Sequence, residues 1–239
     1  MTWQPSVWPN AGALSHAAAQ EIYHAAAAAV AARGRFHLAL AGGHTPRRLY
    51  EILAADYRQR IDWSNIHLYW SDERYVPQDD SSSNYRLARQ TLIDPLALPA
   101  ANVHPMPTSF PNPEDAARAY EQALLQQFGA AGPRFDLALL GIGPEGHTAS
   151  LFPGSPALGE TARWVVPVRV AADPPVRLTL TLPALDGSQE IFFLVAGAEK
   201  QAIVAKLLAA KPDESSPYPA ARVRPRGRVM LFLDQAALG

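Results

Sequence analysis

Short apolar runs, each closed by a glycine-rich or charged loop that leads into a helical segment, recur along this chain, and that order leaves few folds open. The first run, 36–41, ends in Gly42, Gly43, His44, Thr45 and Pro46. Thr45 suits the N-cap of a helix over 46–59, and Pro46 suits its first turn, where a missing N–H costs nothing. A second run, 66–71, meets a polar loop and then a helix over about 83–93 with Ser83, Asn84 and Tyr85 at its start. An Ala-rich helix over 13–33 ends at Gly34, and a helix over 113–128 is bounded by Asn112, Pro113 and Gly129. Strands are expected over 135–140, 164–170, 177–182, 190–195 and 228–233, with a helix over 197–210 between the last two. The alternation predicts an α/β fold: a mostly parallel sheet with helices on both faces, a small appended lobe, and ligand loops at the carboxyl ends of the strands. A length of 239 residues fits one domain over 1–239. The Pro-rich stretch 211–226 reads as a surface excursion, because a strand still follows it.

Charge and composition narrow the function. With 21 Lys+Arg against 22 Asp+Glu the formal net charge is −1, so there is no basic stripe of the kind that attracts nucleic acid or a membrane surface. An anionic ligand has to be held locally. The chain has no cysteine, which removes thiol nucleophiles, zinc thiolates and disulfides together. The start, MTWQPSVWPN, lacks the cationic and apolar regions of a signal peptide, and the apolar run 25–32 is too short to span a bilayer. A cytoplasmic protein follows as the expectation.

Three loops and two cations stand out. The Gly42 to Pro46 loop joins a strand to a helix N-terminus, where free N–H groups and the dipole favour an anion; an ordinary tight turn is the competing reading. In Ser71 to Pro77, Asp72 and Glu73 precede Arg74 directly after a strand, at the sheet edge where α/β sites form, though a solvated turn would read the same. The Gly141 to Gly146 loop matches the dinucleotide pattern GxGxxG, but Pro153 and Pro156 forbid the long helix that such a site needs. What that loop carries instead is Glu145 two residues before His147, a carboxylate beside the side chain best suited to proton transfer near neutral pH. Arg177 begins an alternating strand, where it reads equally as a surface charge. Lys200 falls in the first turn of a helix, where a cation opposes the dipole unless an anion sits nearby. There is no G-x-S-x-G elbow, so direct attack by water is favoured over a covalent acyl-enzyme.

Taken in order, Ala41 to Pro46, Ser71 to Pro77, Leu140 to Pro153, Arg177 to Thr181 and Gly197 to Lys200 resemble the 6-phosphogluconolactonase family over nearly the whole chain. The Gly146 to Pro153 run, Gly-His-Thr-Ala-Ser-Leu-Phe-Pro, is the most specific part and separates the lactonases from the related glucosamine-6-phosphate deaminases. The resemblance implies the fold shared with those deaminases and with ribose-5-phosphate isomerase. It implies hydrolysis of 6-phospho-D-glucono-1,5-lactone to 6-phospho-D-gluconate in the oxidative pentose phosphate pathway, with no metal and no cofactor. In that reading His147 is the base, with Glu145 and Asp72 as the carboxylates beside it. Arg74, Gly143 and Arg177 contact substrate, and Lys200 faces the phosphate with Gly42, Gly43, His44 and Thr45. Family members usually carry serine where His44 stands and aspartate where Glu145 stands. Two other readings stay open: a deaminase- or isomerase-type enzyme, and a non-catalytic sugar-phosphate sensor. The expected partner is a small phosphorylated sugar lactone alone, taken by a monomer.

Overall fold

The computed structural model describes residues 3–209 and 215–239. In chain order the elements are β1 (Gln4–Trp8), α1 (Ala11–Arg33), β2 (Phe36–Leu40), α2 (His44–Asp56), β3 (Ile66–Trp70), β4 (Asp72–Arg74), α3 (Asn84–Ala88), α4 (Asp94–Leu96), α5 (Pro113–Phe128), β5 (Leu137–Leu140), β6 (Val165–Arg169), β7 (Val176–Leu180), α6 (Leu182–Asp186), β8 (Glu190–Val195), α7 (Gln201–Ala209), β9 (Val229–Asp234) and α8 (Gln235–Leu238). Six strands form one sheet in the order β1-β9-β8-β5-β2-β3, and every neighbouring pair is parallel. Every residue of β2 and β5 is buried. Successive strand residues point to opposite faces, so a strand buried throughout must be covered on both. The expected α/β layering is therefore present.

After the edge strand β1 the chain passes to β2 in the interior of the sheet, steps to β3 on one side, and then crosses to β5 on the other. That reversal opens a crevice at the carboxyl ends of β2 and β5, the place where doubly wound sheets bind ligands. The appended lobe is a three-stranded antiparallel sheet, β4-β7-β6. Its first strand lies where the sequence reads as a polar loop, because Asp72 to Arg74 pair with Thr179 to Arg177 rather than with anything nearby in the chain. Ser71 stitches the two sheets. Its N–H donates to Leu40, its hydroxyl to Leu139, and its carbonyl accepts from Leu180.

Local signals set most helix ends. Asn10 caps α1 by accepting from Ala13, and Gly34 closes it with φ 73, a left-handed value that glycine adopts freely. Asn112, Pro113 and Gly129 bound α5 as expected. The helix expected over 83–93 passes through a π turn, Arg89–Ile93, into α4. At its start only Ser83 caps, accepting from Arg86. The expected cap of α2 is corrected: Gly43, at φ 106, takes that position, so Thr45 and Pro46 lie inside the helix. The helix expected over 197–210 begins as a 3-10 turn, Ala198–Lys200, before α7. Its final residue and the first part of the Pro-rich stretch lie outside the described residues. β1 has no counterpart in the sequence reading. Among the described residues no helix is long and apolar enough to cross a membrane.

Candidate active site

The crevice is a cleft of about 280 Å³ whose lining includes Gly42, Gly43, Asp72, Arg74, Gly143, His147, Arg177 and Lys200. Residues scattered over more than half of the sequence meet there because four parallel strands release their loops at the same edge. His44, Thr45 and Glu145 stand just outside the lining, the first two in the opening turn of α2.

The loop after β2 is held at its base by Tyr50, whose buried hydroxyl donates to the Ala41 carbonyl at 2.6 Å and accepts from the Ala41 N–H at 3.0 Å. Gly42 cannot be replaced without movement, since a Cβ there would lie 1.8 Å from Asn84 Oδ1. No side chain caps α2. The amides of its first turn therefore remain available to an anion, with the positive end of the helix dipole behind them.

Most positions of the run from Gly146 to Phe152 have a local role. Gly146 turns at φ 85, and a Cβ there would stand 2.8 Å from the Tyr218 ring. Thr148 donates its hydroxyl to the Gly141 carbonyl at 2.9 Å, which closes the loop on its own strand. Ala149 sits at φ 47, an uncommon conformation for a residue with a Cβ. Ser150, fully buried, donates its hydroxyl to Asp72 Oδ2 at 2.6 Å. Phe152 stacks on the His147 ring with centroids 4.1 Å apart. The imidazole is thus fixed from several sides. The Gly143 N–H donates to the His147 carbonyl at 2.9 Å, and a Cβ on Gly143 would stand 2.0 Å from His147 Nδ1. Gly143 serves the site by making room for the ring.

His147 Nδ1 is sealed from solvent and lies 3.0 Å from Glu145 Oε1, close enough to pair with a protonated ring although without an aligned hydrogen bond. With Nδ1 sealed, Nε2 is the nitrogen that faces the cleft. Burial pushes the Glu145 carboxyl up, but its own backbone N–H, His147 and Lys200 together outweigh that and hold it below the ordinary glutamate value. Asp72 does not touch His147. Its Oδ1 accepts from Asn84 and its Oδ2 from Ser150, and Ser150 is joined in turn to Thr179. The carboxylate therefore ties the β4-β7 lobe to the histidine loop.

Arg177 and Arg74 face each other across the β4-β7 ladder. Among the described residues the buried Nε of each has no hydrogen-bond partner, while Arg74 also donates from its guanidinium to the Ser82 carbonyl at 2.6 Å. Burial, the largest influence, pulls the Arg177 pKa down, and Asp72 opposes it. An arginine held this way is a strong site for an anion. Lys200 follows Gly197, whose N–H is fixed by Asp234 at 3.0 Å. Sequence reasoning undervalued Asn84, which it gave only a capping role, and it overlooked Ser71 and Tyr50. A buried serine or tyrosine that bonds backbone carries no local signature. The GxGxxG loop leads into turns and a short 3-10 segment, Pro156–Gly159, so the dinucleotide pattern has no helix behind it.

Residues 9–232 match the family model described as glucosamine-6-phosphate isomerases/6-phosphogluconolactonase. A 6-phosphogluconolactonase of Synechocystis is 45% identical over 212 residues, 87% of this chain and 86% of that protein. One from Mycobacterium tuberculosis is 42% identical over 238 residues, 97% of this chain and 95% of that protein. Among solved structures, the 6-phosphogluconolactonase of Thermotoga maritima superposes with a TM-score of 0.85 at 31% identity, covering 98% of this chain and 100% of that one. That of Trypanosoma brucei superposes with 0.83 at 32%, covering 98% and 97%. A monomeric glucosamine-6-phosphate deaminase, at 22% identity and a TM-score of 0.81, shares the fold. This chain belongs to the glucosamine-6-phosphate isomerase/6-phosphogluconolactonase family.

Proposed function

We propose that this chain hydrolyses 6-phospho-D-glucono-1,5-lactone to 6-phospho-D-gluconate, the ring-opening step of the oxidative pentose phosphate pathway, with His147 as general base. The observation that carries the reading is the placement of His147 Nε2 in one cleft with two cations, Arg177 and Lys200, and the uncapped N-terminus of α2. The phosphate is held by Arg177, Lys200 and the first-turn amides of α2 beside Gly42 and Gly43, where Thr45 lies. Arg74 steers the sugar hydroxyls. The lactone carbonyl then lies toward His147.

Nε2 takes a proton from water as the water oxygen bonds to the carbonyl carbon, giving a tetrahedral oxyanion. Backbone N–H groups of the glycine loops are the donors suited to that charge. Gly143 is not one of them, since its N–H already holds the His147 carbonyl. The bond from carbon to ring oxygen breaks, and the imidazolium returns its proton to the departing oxygen. Glu145, kept ionised, pairs with the imidazolium while it exists. Asp72 positions the loop through Ser150. No step is routed through a metal or an organic cofactor. We read the chain as a cytoplasmic monomer that acts on this small substrate without nucleic acid or membrane; a formal charge of −1 gives no general attraction to either polyanion.

The test is coupled hydrolysis of freshly prepared 6-phosphogluconolactone, corrected for spontaneous opening. Turnover well above the uncatalysed rate is expected. Absence of that turnover, with ammonia released from glucosamine-6-phosphate, would move the assignment to deaminase chemistry.

A further inference from the structure

The amino ends of the same parallel strands line a second, open-mouthed cavity that the reaction does not use. It holds about 410 Å³, more than the catalytic cleft at about 280 Å³. His37 and Phe135, 6% and 1% exposed, form its floor, and Arg33, Arg35, Arg134 and Arg226 stand around it. Among the described residues Asp136 is the one carboxylate in the lining, and it is engaged: Oδ1 binds Arg33, and Oδ2 accepts the His37 N–H at 2.7 Å. The guanidiniums of Arg35, Arg134 and Arg226 have no hydrogen-bond or ion-pair partner among the described residues. Four arginines against one carboxylate leave an excess of three positive charges here, in a chain whose formal charge is −1.

The simplest account of basic residues at this edge is the helix dipole, because helices that follow parallel strands end here and present carbonyls. It explains Arg33, in the last turn of α1. It does not explain Arg134 or Arg226, which precede β5 and β9 in loops and end no described helix. The four arginines are exposed at the rim, so solvent screens part of their mutual repulsion, and an anion held between them would relieve the rest. The planar fork of arginine binds phosphate oxygens two at a time, and three free forks around one concave site match several phosphate groups in a compact arrangement. We propose that this cavity binds a di- or triphosphate anion, carried by a nucleotide or as inorganic oligophosphate, at a site separate from the catalytic cleft.

Isothermal titration of the full chain tests this at physiological ionic strength, with and without saturating 6-phosphogluconate to fill the cleft. The probes are ATP, ADP, tripolyphosphate and orthophosphate. ATP or tripolyphosphate is expected to bind one per chain whether or not the product is present. The R134E/R226E variant should weaken that binding by at least about tenfold, as loss of two charge-assisted contacts implies, while basal lactone turnover is unchanged. The Gln pair, R134Q/R226Q, repeats the measurement without charge reversal and should also bind more weakly. Tripolyphosphate matching ATP assigns the site to phosphates alone, and ATP alone assigns it to a nucleotide. The proposal is overturned by no binding of any probe up to millimolar concentration, by binding that the product abolishes, or by full affinity in both variant pairs.

Discussion

At the carboxyl edge of the parallel sheet the backbone does most of the holding, whereas at the amino edge side chains do. Strands that lead into helices present N–H groups at the first edge, uncapped by any side chain at α2, and Gly143 leaves room there for the imidazole. The second edge receives helix C-termini, whose carbonyls repel anions, so positive charge there must come from arginines on long stems. The histidines divide the same way. His147 keeps one nitrogen in the cleft, while His37, His67 and His104 are packed among Tyr69, Phe128 and one another at the amino side. The two sets differ in what surrounds them: His147 lines a cleft with Arg177 and Lys200, whereas the other three pack against aromatic rings and one another.

The sharpest way to break that comparison is His147→Asn, which keeps a polar side chain and removes the base. Its kcat should fall by roughly 10² to 10⁴ while product affinity survives. A variant turning over at the wild-type rate would move proton transfer to another group. Gly143→Ala tests position rather than chemistry, because its Cβ would be driven against Nδ1 at 2.0 Å. A loss of about 10² in kcat is expected, since the ring must shift out of line with the bound carbonyl. Unchanged kinetics would mean that the loop relaxes freely.

Arg177→Ala and Lys200→Ala should each raise KM for the phosphorylated lactone roughly 10- to 100-fold and affect the unphosphorylated lactone much less. Equal losses on both substrates would place these cations away from the phosphate.

The smallest effect belongs to the amino edge and appears in stability. Burial, with repulsion from His67 and Arg35, lowers the His37 pKa from 6.5 to about 3, and burial lowers that of His104 to about 4. Between pH 6.5 and those values the unfolded chain binds protons that the folded chain refuses, so stability is full above 6.5 and drains as the pH falls. Urea midpoints measured from pH 7 to 4 should drop less steeply for His37→Phe than for the wild type, with kcat at neutral pH unaltered. An identical slope would show that the ring is hydrated in the folded state.

Much of this was readable from one dimension, and the reason is range. Caps, left-handed glycines and the first turns of helices are settled within a few residues, so α1, α5 and the three glycine loops could be placed from their own neighbours. The motif around His147 was legible for the same reason, as was the α/β alternation. β1 was not, because a five-residue edge strand with Pro5 and little apolar pattern owes its existence to β9 far away in the chain. Nor was β4, whose partner strand lies about a hundred residues on. Glu145 and Asp72 looked equivalent beside His147 in sequence. Only the tertiary structure separates them, putting Glu145 at 3.0 Å from the ring and turning Asp72 to Ser150, 78 residues distant. The arginines of the amino edge are spread from 33 to 226 with no motif between them. They become a group because parallel strands start at a common edge, a consequence of register that no local signal carries.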